Sequence, residues 1–260
     1  MRNLKYFVQF ILILFFFFIF KLIGVNLSSF LSGKIFEILG PFFRSKSITN
    51  KNIRRAFPKI KFKELEKISN SMWNNYGRVF AEYMFIKSFR HGKLRNNISI
   101  TGVEILEKIK SKNQKVIFIS GHFSNFELMA MQLDKFGIKI SAIYRPLNNI
   151  FLNPIMEKVR KTYVCKKQIK KGMGGIRELI SLINNDYSTA LMIDQRVSQG
   201  IKSKFFDEDA FTTTIPAQIA KKYGLPVVPI FIERYSGIKF NMKIQNPIYF
   251  QSNKSINDIT

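Results

Sequence analysis

The N-terminal part of the chain carries a nearly continuous apolar run. Only Gln9 interrupts the stretch Tyr6–Phe20, and counting on to Val25 gives 20 residues, which span roughly 30 Å as a helix, about the thickness of a bilayer's hydrocarbon core. A cleaved signal peptide would have a shorter apolar core followed by a small-residue cleavage site, and no such site follows. In a soluble core, four consecutive Phe residues would need apolar neighbours on every side. The pattern therefore predicts an uncleaved membrane anchor over residues 1–25, with basic residues on both flanks that leave its orientation open.

Two helical patterns follow the anchor. Ile35–Phe43 forms a second apolar patch before Arg44, which suits either a helix lying on the bilayer surface or a core helix. Residues 26–50 are therefore predicted to be an interfacial or connecting segment. From Phe62 to Phe85 apolar residues recur at helical spacing, which predicts a long helix near the start of a domain over residues 51–260.

The rest of the chain alternates short apolar runs with helical patterns. Runs that are apolar on both faces and separated by helices indicate an α/β domain with a mostly parallel sheet covered by helices. The predicted strands are Lys115–Ser120, Lys139–Tyr144, Thr189–Asp194 and Val227–Glu233, with Phe240–Ile244 as a further candidate. The predicted helices between them are Asn125–Phe136, Pro154–Tyr163, Gly175–Asn184 and Ile215–Tyr223.

The composition narrows the possible partners and cofactors. The 260 residues are 46% hydrophobic, which excludes wholesale disorder, and they carry a net charge of +25, which indicates an anionic partner, an anionic surface or compositional bias. No nucleic-acid-binding motif accompanies the charge, so no nucleic acid is expected. The single cysteine, Cys165, excludes an internal disulfide, and two histidines leave little room for a metal site. No cofactor and no metal are predicted, and Cys165 is expected to be a buried structural residue.

Candidate chemistry lies at the end of the first predicted strand of this domain, in Ser120–Glu127. Gly121 allows a sharp turn there, and His122 precedes the helix that contains Glu127. On one helix the two side chains would point about 140° apart, so they meet only across a strand–turn–helix junction. A histidine that contacts a carboxylate is a competent general base. The alternative is a histidine whose ring simply binds a backbone carbonyl at the strand end.

Several motifs occur in an order that resembles a known family. They read GHFSNFE, YRPLNN, DQR and FTTT at residues 121–127, 144–149, 194–196 and 211–214, preceded by NIRRAFP at 52–58 and NNYGRVFAE at 74–82. Together with the anchor, they resemble the bacterial lipid A biosynthesis acyltransferases. The resemblance implies a fold like that of the glycerophosphate acyltransferases, a mostly parallel sheet flanked by helices after an N-terminal membrane helix.

The resemblance also implies functional residues. His122 matches the catalytic histidine of the family, and Glu127 matches its acidic partner, so the two are expected to form a general-base dyad. Arg145, Arg160 and Asp194 match residues that bind substrate or support the transition state. For Arg145 and Asp194 the alternative is an ion pair or cap that orients the loops around the site.

The implied reaction moves a fatty acyl chain from an acyl-carrier-protein thioester to a hydroxyl of a lipid A precursor, on the cytoplasmic face of the bacterial inner membrane and among its lipids. The basic run Lys166, Lys167, Lys170 and Lys171 would meet the acidic carrier protein or the phosphates of the acceptor, or be a solvated helix face. The family pattern continues past Thr260, so the domain over residues 51–260 is expected to be C-terminally incomplete.

Two alternatives stay open. One is a lysophospholipid or glycolipid acyltransferase that uses acyl-CoA or acyl-carrier protein with the same histidine chemistry. The other is a membrane-anchored basic protein that only binds anionic lipid or nucleic acid.

Overall fold

The computed structural model describes residues 1–195, 197–198, 200–251 and 253–260. Its N-terminal part is a layer of four helices. Their bounds are α1 Arg2–Ile23, α2 Val25–Phe43, α3 Lys46–Ala56 and α4 Phe62–Glu82. Helices α2 and α4 come so close that a side chain at Gly77 would place its Cβ 2.2 Å from the Ser32 carbonyl oxygen. Small residues at this crossing therefore fix the distance between the two helices.

Helix α1 is largely uncovered. Phe17 and Phe20 are buried against the Phe80 ring of α4, at centroid distances of 5.1 and 6.0 Å. The other large apolar side chains of α1 are exposed or half-buried. Its 22 residues are long and apolar enough to cross a membrane, and such an exposed apolar surface indicates membrane association. The predicted patch Ile35–Phe43 is the second half of α2.

A seven-stranded sheet forms the centre of the rest of the chain. Its strands are β1 Ile98–Thr101, β2 Ile117–Ser120, β3 Ile140–Tyr144, β4 Lys167–Lys170, β5 Ser188–Met192, β8 Val227–Ser236 and β9 Lys239–Ile244. The remaining two strands, β6 Ile201–Phe205 and β7 Glu208–Thr212, form a separate antiparallel hairpin. The order in the seven-stranded sheet is β1-β9-β8-β2-β5-β3-β4, and neighbouring strands are parallel except for the antiparallel pair β8 and β9. The predicted α/β class is therefore confirmed.

Helices cover both faces of this sheet. Their bounds are α5 Ile86–His91, α6 Val103–Ser111, α7 Glu127–Phe136, α8 Leu152–Val159, α9 Met173–Asn184, α10 Ile215–Tyr223 and α11 Ile256–Ile259, with a π-helical turn at Arg160–Val164. One buried cluster lies between the sheet and α5, α6 and α7, and a second lies between the sheet and α9 and α10. Successive residues of a central strand fall in different clusters, because the side chains of a strand alternate between the two faces of the sheet. In β2, for example, Ile117 belongs to one cluster and Phe118 to the other.

The predicted elements are all present and follow the predicted order, but the structure has more elements than were predicted. All five predicted strands are present, as β2, β3, β5, β8 and β9, and the helix Ile215–Tyr223 has the predicted bounds. The two edge strands β1 and β4, the hairpin of β6 and β7, and helices α3, α5 and α6 were not predicted. Lys167 and Lys170 of the basic run lie on β4, and Lys166 and Lys171 flank it, so these lysines do not form a helix face, although most of them are exposed.

Candidate active site

A cavity of about 380 Å³ opens at the edge of the sheet where β2, β3, β4 and β5 end. The carboxyl ends of parallel strands are the usual place for a ligand in an open α/β sheet. Four of the five predicted site residues line the cavity, namely His122, Glu127, Arg145 and Arg160. The fifth, Asp194, lies behind His122 and contacts it.

His122 is held by two neighbouring strands. It follows β2 by two residues, and Asp194 follows β5 by two residues, while Ser120 and Met192 at the strand ends are partners in the parallel register. The Asp194 carboxylate accepts the backbone N–H of His122 through Oδ2 and contacts the ring Nδ1 through Oδ1, each at 2.7 Å. Nδ1 is therefore committed to the carboxylate. The other ring nitrogen, Nε2, lies 3.4 Å from the side-chain nitrogen of Gln195, which also lines the cavity.

Glycine at position 121 makes this arrangement possible. A Cβ there would lie 3.1 Å from Asp194 Oδ2 and 3.0 Å from the Phe123 ring. A side chain at position 121 would therefore force the Asp194 carboxylate or the Phe123 ring to move by a few tenths of an ångström. On the other side, the Phe126 ring stands edge-on to the imidazole at a centroid distance of 4.7 Å.

The predicted pairing of His122 with Glu127 is wrong. Glu127 is the first residue of α7, and its carboxylate accepts from Arg160 through Nε, at 2.9 Å, and through Nη2. The side chain of Glu127 is only 8% exposed, and a buried carboxylate needs a permanent opposite charge. Arg160 supplies that charge at every physiological pH, whereas a histidine is mostly neutral near pH 7. The carboxylate that orients His122 is that of Asp194.

Arg160 carries a fixed positive charge into the cavity. Burial disfavours that charge, but the carboxylate of Glu127 outweighs burial and raises the pKa of the guanidinium above its ordinary value. The guanidinium also lies over the Tyr144 ring, 5.5 Å from its centroid. Arg145 is exposed and lines the cavity without an ion pair to any of the described residues. Of the two residues for which an ion pair or cap was the alternative, Asp194 contacts His122, whereas Arg145 has no ion pair among the described residues.

Comparison with known proteins bears on this site. A family model for the bacterial lipid A biosynthesis acyltransferases matches residues 1–260. The chain belongs to this family. It is 25% identical over 217 residues to the lipid A biosynthesis myristoyltransferase of Escherichia coli strain K12 and to lipid A biosynthesis acyltransferase 1 of Shigella flexneri, covering 82% of the chain and 65% of each relative. Lipid A biosynthesis acyltransferase 2 of Shigella flexneri is 23% identical over 189 residues, 70% of the chain and 59% of that protein. The chain thus spans about 65% of the length of the first two relatives.

Sequence reasoning missed a buried polar cluster that supports the site in this acyltransferase family member. Glu82, at the end of α4, is completely buried. Its carboxylate accepts from Ser29 of α2 at 2.7 Å, from Asn125 of the His122 loop at 2.9 Å, and from Arg234 of β8 through two guanidinium nitrogens. The cluster ties the N-terminal helices to the loop that carries His122. The one feature of the sequence that could have pointed to this cluster is the position of Glu82 at the end of the NNYGRVFAE motif.

Three further expectations concern residues around the cavity. Lys170 and Lys171 of the basic run line it, and Lys170 also forms an ion pair with Glu157 at 3.1 Å. Cys165 is buried, as expected for a structural residue, and burial raises the pKa of its thiol to about 12. Arg196, the last residue of the DQR motif, lies outside the described residues.

Proposed function

We propose that this chain is a membrane-bound O-acyltransferase that moves a fatty acyl chain from an acyl-carrier-protein thioester to a hydroxyl of a lipid A precursor. The observation that carries the proposal is the His122 imidazole, held through Nδ1 by Asp194 at the opening of a cavity with an apolar interior. Membership of the lipid A acyltransferase family supports both the reaction class and the acceptor.

His122 acts as the general base. With Nδ1–H donated to Asp194, the lone pair of Nε2 faces the cavity and takes the proton of the acceptor hydroxyl. The freed oxygen attacks the thioester carbonyl and gives a tetrahedral oxyanion. When this intermediate collapses, the C–S bond breaks, and the imidazolium returns its proton to the departing thiolate. Asp194 stabilises the imidazolium between these steps.

Arg160 stabilises negative charge in this reaction. Its guanidinium is fixed by Glu127 in the wall of the cavity that His122 also lines. A preorganised donor at a developing oxyanion is worth about 10²–10³-fold in rate. Glu127 keeps its site role in this proposal, but as the residue that positions Arg160. Arg145 is assigned to a phosphate of the acceptor, because it is exposed at the cavity and arginine binds phosphate with a planar fork.

The proposal also assigns a membrane role to the N-terminal helices. In this proposal residues 1–25 anchor the chain, residues 26–50 connect it along the bilayer, and residues 51–260 form the acyltransferase domain on the cytoplasmic face of the inner membrane. The length and composition of α1 support the anchor. The exposed Phe42 and Phe43 at the end of α2 support a connection along the lipid surface.

One transfer assay with four combinations of substrates tests the proposal. The chain in phospholipid vesicles receives a labelled acyl chain on acyl-carrier protein or on coenzyme A, together with a tetraacyl lipid A precursor or a lysophospholipid. We expect labelled product with the carrier protein and the lipid A precursor. Transfer only to lysophospholipid would refute the acceptor, and transfer only from coenzyme A would refute the donor. Tight, salt-sensitive nucleic-acid binding with no transfer would favour the non-enzymatic alternative.

A further inference from the structure

Part of the cavity extends inward between the sheet and α7. This part, here called the α7-side lobe, is lined by Phe118, Met129, Ala130, Ala142, Val164 and Ala190. Three of these residues lie in one register row across three adjacent strands, because Phe118 pairs with Ala190 and Ala190 pairs with Ala142. The row lies two residues inward from the strand ends beside His122. The lobe thus leads directly away from the imidazole.

Small residues create the space in this lobe. Ala142 and Ala190 belong to the central strands β3 and β5, which helices cover on both faces, yet both alanines keep exposed surface. Ala130 on the facing side of α7 does the same. Close-packed interiors leave few voids larger than a water molecule. The exposed surface of these alanines is therefore the wall of a cavity and not a chance gap.

The lobe is closed at its inner end and has a mostly apolar wall. The next register row inward pairs Ile140 with Ser188, which are 1% and 2% exposed. At one side Phe118 is fully buried. Two polar neighbours make hydrogen bonds within the protein, since Ser120 donates to the Ile230 carbonyl at 2.7 Å and Gln168 donates to the Cys165 carbonyl at 3.2 Å. A closed apolar lobe that begins at a general base suits a hydrocarbon chain.

We infer that the α7-side lobe holds the acyl chain of the donor and that Ala142 and Ala190 set the longest chain it accepts. The inference rests on the proposed function. The thioester carbonyl lies beside His122, the chain runs inward between β3, β5 and α7, and its methyl end meets Ile140 and Ser188. A larger side chain in the alanine row shortens the lobe, whereas a smaller one at Phe118 enlarges it.

The test compares the chain-length preference of four variants. Ala142→Val and Ala190→Val each add two carbons to the wall, Phe118→Leu removes volume from it, and Ala220→Val is the control. Ala220 is buried on α10, against the opposite face of the sheet, and does not line the cavity. The measurement is kcat/KM for carrier-protein donors with acyl chains of increasing even length, together with the thermal unfolding midpoint of each variant.

We expect the two row variants to favour shorter donors. One methylene in an apolar pocket changes discrimination by about 10–200-fold, so the ratio of kcat/KM for the preferred donor to that for a donor two carbons shorter should fall at least about tenfold. Ala220→Val should keep the wild-type ratio, and Phe118→Leu should accept longer donors.

The outcomes separate this inference from the proposed function. Wild-type protein that transfers no donor of any length would refute the proposed function. Active wild type with an unchanged ratio in Ala142→Val and Ala190→Val would overturn only the inference. If the valine variants fail to fold, Phe118→Leu decides. A chain-length preference of Phe118→Leu that equals that of the wild type would also overturn the inference.

Discussion

Replacing Asp194 by Asn tests whether the carboxylate that contacts His122 in the structure is the one that supports its proposed role as general base. The carboxylate accepts two hydrogen bonds of 2.7 Å from His122, one from the backbone and one from the ring. An amide of the same shape has only one oxygen, so it cannot accept both. If its oxygen keeps the backbone bond, its NH2 group faces Nδ1, and the ring proton moves to Nε2. The nitrogen that should remove the hydroxyl proton then carries one.

The size of this effect follows from the mechanism and from exposure. General-base catalysis contributes about 10²–10⁴-fold. The His122 and Asp194 side chains are 32% and 39% exposed. Water can therefore replace part of the hydrogen bonding to His122 that the amide lacks. We therefore expect kcat to fall about 10²–10³-fold, equivalent to about 3–4 kcal/mol in the barrier. The free energy of unfolding should change by less than about 1 kcal/mol, because exposed ion pairs contribute little to stability.

Single-turnover transfer from a labelled acyl donor measures the rate, and denaturant unfolding measures stability. Asp186→Asn is the matched control, since Asp186 is exposed and faces Lys115 at 3.5 Å, away from the cavity. It should keep wild-type activity. A rate for Asp194→Asn within threefold of wild type would refute the assignment of Asp194 as the residue that orients His122.

Three further changes probe other parts of the site. Glu127→Gln should lower the free energy of unfolding by about 3 kcal/mol in denaturant titration, because it leaves a buried guanidinium without its counter-charge; a loss below 1 kcal/mol would contradict this. Gly121→Ala should lower kcat at least about tenfold by displacing the carboxylate of Asp194. Gly174→Ala, with open space at its Cβ, should keep the wild-type rate. Equal rates for the two variants would show that the close packing of Gly121 against Asp194 is unimportant. Burial raises the pKa of Cys165 to about 12, so the thiol stays protonated at pH 9. Iodoacetamide should therefore label it at that pH only after the chain is unfolded in urea. Rapid labelling of the folded chain would contradict this.

The central strands could be predicted from sequence because burial on both faces leaves a clear pattern. Ile117–Ser120 and Val227–Ser236 are continuous apolar runs between helical segments. The edge strand Lys167–Lys170 has no such pattern, since only Ile169 is apolar among its four residues and the strand has a neighbour on one side only. Charged side chains on an edge strand are common because they prevent pairing with another sheet. Strand β4 therefore looked like a basic surface run.

The site residues could be predicted, but their pairing could not. Motif order singled out His122, Glu127 and Asp194. Which carboxylate contacts the imidazole depends on β2 and β5 being neighbours in register, a contact between residues 72 positions apart. It also depends on Arg160, whose π-helical turn brings it to Glu127. Neither relation is encoded in the local spacing of five residues between His122 and Glu127.

The most direct measurement compares the two histidines of the chain. His122→Asn and His91→Asn are made in the same chain in vesicles, and mass spectrometry follows the gain of one acyl chain by a lipid A precursor. His91 is exposed at the end of α5 and does not line the cavity. We predict that His91→Asn forms product at the wild-type rate and that His122→Asn loses at least about 10²-fold. Equal product from the two variants would contradict the claim that His122 performs the acyl transfer.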